Sequence, residues 1–144
     1  MASVTATVEF PAPPEKVWVT MSDPNRYEDW LTIHQGWRGE IPEELSVGTK
    51  LTEIVSVMGM ANKIEWTVEE YEPPSKVKIS GTGMAGVQVS FTLSVTPTES
   101  GGSRAAIEAE FTGQMVVGAI GAAVEKQSKK ELDASLEKLA GLVS

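Results

Sequence analysis

Apolar and polar side chains alternate along most of the first 111 residues, and turn residues separate the alternating runs. In residues 3–10, the apolar side chains of Val4, Ala6 and Phe10 alternate with Ser and Thr. A period of two is typical of a strand that buries one face. Three prolines follow within four residues and end this strand, because proline lacks the N–H group that a continuing strand needs.

Two short helices are predicted after the first strand. The first covers Glu15 to about Met21, where the apolar side chains share helical spacing. The second follows Asp23, whose side chain is a helix-capping group, and Pro24, and ends at Gly36. Its apolar side has the i, i+3, i+4, i+7 spacing of a helix. The residues on that side are Tyr27, Trp30, Leu31 and His34.

Strand patterns then follow one another at hairpin spacing. Alternating runs occupy residues 49–58, 63–71, 87–95 and 104–111, and a shorter run contains Val77 and Ile79. Arg38 and Glu40 are predicted to lie on a short edge strand that precedes these runs. We interpret the two charged side chains as a solvated pair. Regular short spacing of this kind predicts an antiparallel meander.

The last part of the chain, from about Gln114 to Leu142, has the pattern of one long helix. It contains no proline, and its apolar residues recur at helical spacing. The stripe consists of Val116, Ile120, Val124, Leu132, Leu136, Leu139 and Val143. A helix of ~27 residues spans ~40 Å, so we expect it to lie across the concave face of the sheet. The predicted architecture is α+β: one domain, residues 1–144, with six or seven antiparallel strands curled around the C-terminal helix.

Composition excludes several classes of site. The 144 residues include no cysteine and one histidine, which removes disulfides, thiolate nucleophiles and any site that needs two imidazoles. The net charge of −8 disfavours nucleic-acid binding. The sequence shows no signal peptide and no membrane span, so we expect a cytoplasmic protein, a monomer or weak dimer, without a metal or other cofactor.

Two side chains are candidates for acid–base chemistry. His34 is the one side chain whose unperturbed pKa lies near neutrality. Glu53 shares its strand phase with Leu51 and Val55, which places a carboxylate on an apolar face. In the opposite phase, Ile54 and its neighbours point inward and Glu53 is solvated. The pattern leaves both phases open, and no orienting carboxylate for His34 is evident from the sequence.

Residues 81–86 match the dinucleotide-binding pattern GxGxxG. That motif binds phosphate only where a helix begins at its last glycine. Here an alternating run follows, which predicts a strand. We therefore interpret residues 81–86 as a flexible hairpin.

Several segments together resemble the START-like (SRPBCC) superfamily, which includes polyketide cyclase/dehydrase-like proteins. They are PAPPEKVW at 11–18, SDPNRYEDWL at 22–31, WTVEEYEPPSKVKIS at 66–80 and the amphipathic C-terminal helix. The stretches at 29–49 and 58–68 are more narrowly similar to an actinobacterial subfamily described as toxins of type II toxin–antitoxin pairs. The resemblance implies a helix-grip fold with an apolar tunnel between sheet and helix.

The resemblance therefore implies a small hydrophobic ligand, such as a lipid, polyketide or aromatic molecule. Close packing of sheet and helix without a tunnel is the alternative that the sequence leaves open. Two other functions remain: a cyclase- or dehydratase-like enzyme that acts on a carbonyl compound through His34 or Glu53, and a toxin with an antitoxin partner. The candidate ligand-binding residues are Trp30, His34, Trp37, Glu53, Val55, Trp66, Val68, Met84, Phe91, Met115 and Ala119.

Overall fold

The computed structural model describes residues 2–42, 45–57, 60–73, 75–83, 86–113 and 116–143. Its strands are β1 (Ala2–Phe10), β2 (His34–Arg38), β3 (Lys50–Val57), β4 (Met60–Glu72), β5 (Lys76–Thr82), β6 (Gln88–Pro97) and β7 (Ser103–Thr112). Its helices are α1 (Pro14–Met21), α2 (Tyr27–Trp30) and α3 (Gly118–Val143), and one 3₁₀ turn covers Pro24–Arg26.

The strands form one antiparallel sheet of seven strands in the order β1-β7-β6-β5-β4-β3-β2. Consecutive strands from β2 to β7 are neighbours, and β1 closes the other side by pairing with β7. The predicted fold class is confirmed: an antiparallel sheet with a long C-terminal helix and two short helices after the first strand.

One face of the sheet carries the core, as the alternation predicts. In β6, Val89, Phe91 and Leu93 are buried and the residues between them are half-buried or exposed. The same pattern continues in β7, where Ala105 and Ile107 are fully buried. Burial of apolar area on this face against the helices is the main force that holds the layers together.

The long helix α3 buries its second half and exposes much of its first. Leu132, Leu136 and Leu139 are at most 2% exposed, whereas Ile120 is 54% exposed. The prediction that Ile120 belongs to the buried stripe is therefore wrong. The Ser3 N–H of edge strand β1 donates a hydrogen bond to the Glu125 carboxylate over 2.9 Å. This contact shows that the first half of α3 lies along the edge of the sheet.

The second predicted helix ends earlier than its pattern indicates. Helix α2 ends at Trp30, Leu31 is extended, and His34 begins strand β2. The prediction of a helix through His34 is wrong because tertiary contacts replace the helical ones. The Thr32 N–H group donates to Ser135 Oγ on α3 over 2.9 Å, and Thr32 Oγ1 contacts the Glu131 carboxylate over 2.9 Å.

Strand packing explains the first glycine of the pattern at 81–86. Strand β6 follows it, as predicted, and no helix begins at Gly86. Gly81 lies opposite Trp66 in the β4–β5 pair, and a Cβ atom at this position would lie 2.3 Å from the Glu65 carbonyl oxygen. A close approach of two backbones therefore explains this glycine. Residues 84–85, within the predicted hairpin, lie outside the described residues.

None of the helices in the described ranges is long and apolar enough to cross a membrane.

Candidate functional site

The Glu53 side chain lies on the inner face of the sheet, in the interior of the protein. Glu53 is 1% exposed, and its strand neighbours in the same phase, Leu51 and Val55, are buried as well. The structure therefore selects the inward of the two phases that the sequence left open. A carboxylate removed from water is costly unless hydrogen bonds replace its hydration.

Both carboxylate oxygens of Glu53 have a donor or partner from a neighbouring strand. The Trp66 indole N–H on β4 donates to Oε1 over 2.8 Å. Oε2 contacts Nδ1 of His34 on β2 at hydrogen-bonding distance. The register explains the arrangement, because Trp66 pairs with Leu51 and His34 pairs with Val55, each two residues from Glu53 on the same face.

His34 is held by this contact in one orientation. Its side chain is 4% exposed, and the β2–β3 register shifts between His34 and Gly36, a strand irregularity that can redirect a side chain. A neutral imidazole that donates from Nδ1 keeps the lone pair on Nε2 for another partner. Among the described residues, no hydrogen bond is made by Nε2. This geometry allows His34 to accept a proton or a hydrogen bond at Nε2.

Tyr27, Trp30, His34 and Trp37 form an aromatic cluster, in which Tyr27 and Trp37 contact the imidazole. The ring centroid of His34 lies 6.0 Å from that of Tyr27 and 5.1 Å from that of Trp37. The Trp37 indole N–H donates to the Pro24 carbonyl oxygen over 2.9 Å, which ties β2 to the 3₁₀ turn. Two aromatic rings therefore pack against the His34 side chain, which is 4% exposed.

The same environment changes the pKa of the Tyr27 phenol. Burial raises the pKa of Tyr27 well above its ordinary value of 10.0, and the negative charges of Glu53 and Asp23 raise it further. All three effects disfavour the phenolate. Tyr27 therefore stays neutral wherever the protein is folded at ordinary pH.

The remaining predicted ligand-binding residues fall into three groups. Val55, Trp66, Val68 and Phe91 are buried on the inner face, and the rings of Trp66 and Phe91 lie 5.3 Å apart. Trp37 is half-buried, and Ala119 is exposed on α3. Met84 and Met115 lie outside the described residues. The structure thus brings Trp30, His34, Trp37, Glu53 and Trp66 together near one end of the inner face.

Sequence reasoning missed the contact that holds α2 against α3. Ser135 is fully buried within the apolar face of α3, and its Oγ accepts a hydrogen bond from Thr32 N–H. The only signal in the sequence is a small polar residue next to Leu136 in the buried stripe. This contact places the C-terminal end of α2, and with it Trp30, over the inner face.

A polar groove of about 480 Å³ lies on the opposite, outward face of the sheet. Its lining includes Glu65, Glu69, Lys78 and Glu110. Such a lining does not suit an apolar molecule, because charged groups lose hydration when an apolar surface covers them. The inner face is therefore the better candidate site.

A model of the family described as "Polyketide cyclase / dehydrase and lipid transport" matches residues 1–144. The chain belongs to this family. The polyketide cyclase/dehydrase family assignment agrees with the curled sheet and the long C-terminal helix. It also agrees with the solved structure of a START superfamily protein from Mycobacterium smegmatis. That structure has a TM-score of 0.78 at 19% identity, over 99% of this chain and 97% of the other, which shows a shared fold.

Two relatives from Mycobacterium tuberculosis match over nearly the whole length. A protein named "Toxin Rv0910" is 37% identical over 95% of this chain and 94% of its own. A second, named "Uncharacterized protein Rv1546", is 34% identical over 99% of both chains. This chain therefore has a relative of nearly full-length similarity that carries the toxin name.

We predict that Trp66→Phe destabilises the protein more than Trp30→Phe, although both side chains are buried to the same degree. Trp66→Phe leaves a buried carboxylate oxygen without its donor, whereas the Trp30 N–H has no acceptor to lose in the described part of the chain. The difference should be about 1.5–3 kcal/mol, the contribution of a hydrogen bond to a charged group. Urea unfolding of both variants measures it, and equal costs would contradict the assigned bond.

We also predict that Tyr27 makes stability sensitive to alkaline pH. The unfolded chain releases the tyrosine proton near pH 10, whereas the folded protein retains it because the pKa is raised. The stabilisation that results from the raised pKa of Tyr27 is therefore fully present below pH ~10. Above that pH the free energy of unfolding falls by up to about 1.4 kcal/mol per pH unit. Urea unfolding at pH 8.5 and pH 11 should show a smaller loss for Tyr27→Phe than for the wild type.

The control for this pH experiment is Tyr71→Phe, which removes the other tyrosine of the chain. Tyr71→Phe should lose stability between the two pH values as the wild type does. If Tyr27→Phe loses as much as the wild type, the buried phenol is not the cause.

Proposed function

We propose that this protein binds a small hydrophobic molecule, such as a lipid, polyketide or aromatic compound, between the inner face of the sheet and α3, and that it does so in the cytoplasm. The observation that carries the proposal is the Glu53–His34 pair on an otherwise apolar inner face. Ligand sites in proteins are mostly apolar, with a few polar groups that orient the ligand.

The apolar part of the proposed site is supplied by side chains of three central strands. Val55, Val68 and Phe91 are at most 6% exposed, and Trp66 packs against Phe91. These side chains offer aromatic and aliphatic surface without a competing charge. The family description, which includes lipid transport, supports the same class of ligand.

The test uses 2-ethylnaphthalene as an apolar probe and isothermal titration calorimetry on the full chain. We expect one molecule to bind with a dissociation constant of about 10–100 µM, as expected for a probe of this size. Val68→Phe should weaken binding because it adds bulk to the inner face, where Val68 is 1% exposed. Val19→Phe is the matched control, because Val19 is 67% exposed.

Circular dichroism shows whether both variants remain folded. Absence of binding to the wild-type chain contradicts the proposal. Equal loss of affinity in Val68→Phe and Val19→Phe contradicts the proposed location.

A cyclase- or dehydratase-like enzyme that acts on a carbonyl compound is the second candidate, and the Glu53–His34 pair favours it. In this scheme His34 Nε2 removes a proton from the carbon next to a carbonyl group, and the electron pair of the broken C–H bond forms an enolate. The negative charge of Glu53 stabilises the imidazolium that results. The proton then returns to carbon or to solvent.

The predicted readout for this candidate is exchange of the methyl protons of 2-acetylnaphthalene for deuterium in D₂O. The wild-type chain should accelerate exchange over buffer, and His34→Gln should lower the accelerated rate by about 100-fold or more. Glu53→Gln should lower the exchange rate while leaving the affinity for the probe nearly unchanged. Exchange in His34→Gln at the wild-type rate, or no acceleration by the wild type, rules out this reaction.

The third candidate is a toxin role with an antitoxin partner, and it is supported by the name of the 37% identical relative. No side chain of the candidate site argues for it. Growth arrest on expression that a neighbouring gene relieves would support this candidate, and normal growth would oppose it.

A further inference from the structure

One buried donor has no acceptor among the residues that the structure describes. The Trp30 side chain is fully buried, and its indole N–H makes no hydrogen bond within those ranges. A buried donor without a partner costs stability, because it has lost water and gained nothing in return. Such groups are rare in folded proteins and point to a missing partner such as a ligand or water.

The neighbouring indoles differ from Trp30 in this respect. The Trp37 N–H donates to the Pro24 carbonyl oxygen over 2.9 Å, and the Trp66 N–H donates to Glu53 Oε1 over 2.8 Å. Both belong to the same part of the inner face. The lack of an acceptor is therefore particular to Trp30 and is not a general feature of the tryptophans around the candidate site.

Trp30 belongs to the same aromatic cluster as His34. Its ring centroid lies 5.7 Å from that of Tyr27 at an interplanar angle of 74°, and the His34 ring contacts the same tyrosine at 6.0 Å and 89°. The rings of Trp30 and His34 therefore both pack against Tyr27. Together they provide polar groups at one end of an apolar surface.

We propose that the Trp30 N–H donates a hydrogen bond to a carbonyl or hydroxyl oxygen of the bound hydrophobic molecule, within the aromatic cluster that also contains His34. This inference rests on the proposed function and narrows the ligand class to apolar molecules that carry a neutral oxygen. The buried carboxylate of Glu53 disfavours an acidic ligand, because two negative charges repel strongly in a poorly hydrated interior.

The experiment compares three probes of one shape on the wild type and on Trp30→Phe. The probes are 2-acetylnaphthalene, 2-ethylnaphthalene and 2-naphthoate, and calorimetry gives each affinity. We expect the ratio of ketone affinity to hydrocarbon affinity to fall about fivefold in Trp30→Phe, as expected for one lost hydrogen bond. Because the hydrocarbon is measured on the same variant, changes in packing cancel from the ratio. 2-Naphthoate should bind the wild type most weakly.

Trp18→Phe is the matched control, since Trp18 is also buried but packs against Tyr71, outside the aromatic cluster. Its ratio should equal that of the wild type. An unchanged ratio in Trp30→Phe, which a bound internal water would give, overturns the inference and leaves the proposed function standing. If neither 2-ethylnaphthalene nor 2-acetylnaphthalene binds the wild type, the proposed function fails and the inference fails with it.

A second readout needs no variant at position 30. The chain has four tryptophans, so its ¹⁵N–¹H spectrum contains four indole signals, and phenylalanine variants at the other three positions assign that of Trp30 by elimination. This signal should move downfield with 2-acetylnaphthalene and much less with 2-ethylnaphthalene. An equal shift with both probes, or none with either, overturns the inference.

Discussion

A carboxylate in the interior constrains the architecture around it. Glu53 is 1% exposed and has no salt-bridge partner with a fixed charge among the described residues, so its two hydrogen-bond partners must replace lost hydration. Those partners come from the strands on either side, Trp66 on β4 and His34 on β2. Removal of either one leaves a buried polar group without a partner, which is more costly than the loss of an exposed contact.

The position of β2 and α2 follows from this constraint. His34 reaches Glu53 only because β2 pairs with β3 in one register, and the rings of Tyr27 and Trp37 pack against the imidazole. Contacts of Thr32 with Ser135 and Glu131 hold the segment between α2 and β2 against α3. These contacts also account for the placement of Trp30 over the inner face, so the unpartnered N–H and the oriented imidazole are two results of the same packing.

Much of the fold was predictable because half-buried strands have a period of two, and a helix that covers a sheet has an apolar side. The same reasoning failed at His34. An i, i+3, i+4, i+7 pattern can also arise where a helix ends and a strand begins within the same segment, as happens between Trp30 and His34. It failed again at Ile120, where the first half of α3 lies along the edge strand β1. The inward phase of Glu53 was undecidable, since both phases of β3 carry apolar residues.

The site itself was less predictable than the fold. Both His34 and Glu53 were candidates, but their contact joins positions 19 residues apart through strand register, which a single sequence does not reveal. The missing acceptor of Trp30 is visible only in three dimensions, because hydrogen-bond satisfaction depends on every neighbouring group. Composition excludes cysteine chemistry and sites with two imidazoles, but it does not indicate which carboxylate lies next to His34.

The most direct test of the buried network is a long-range ¹⁵N–¹H spectrum of the imidazole, because the chain contains a single histidine and its signals need no assignment. In the neutral ring of His34, we predict that Nδ1 carries the proton, which is hydrogen-bonded to Glu53, and that Nε2 is unprotonated. A neutral ring with its proton on Nε2 would contradict the assigned pair and, with it, the oriented polar site on the inner face.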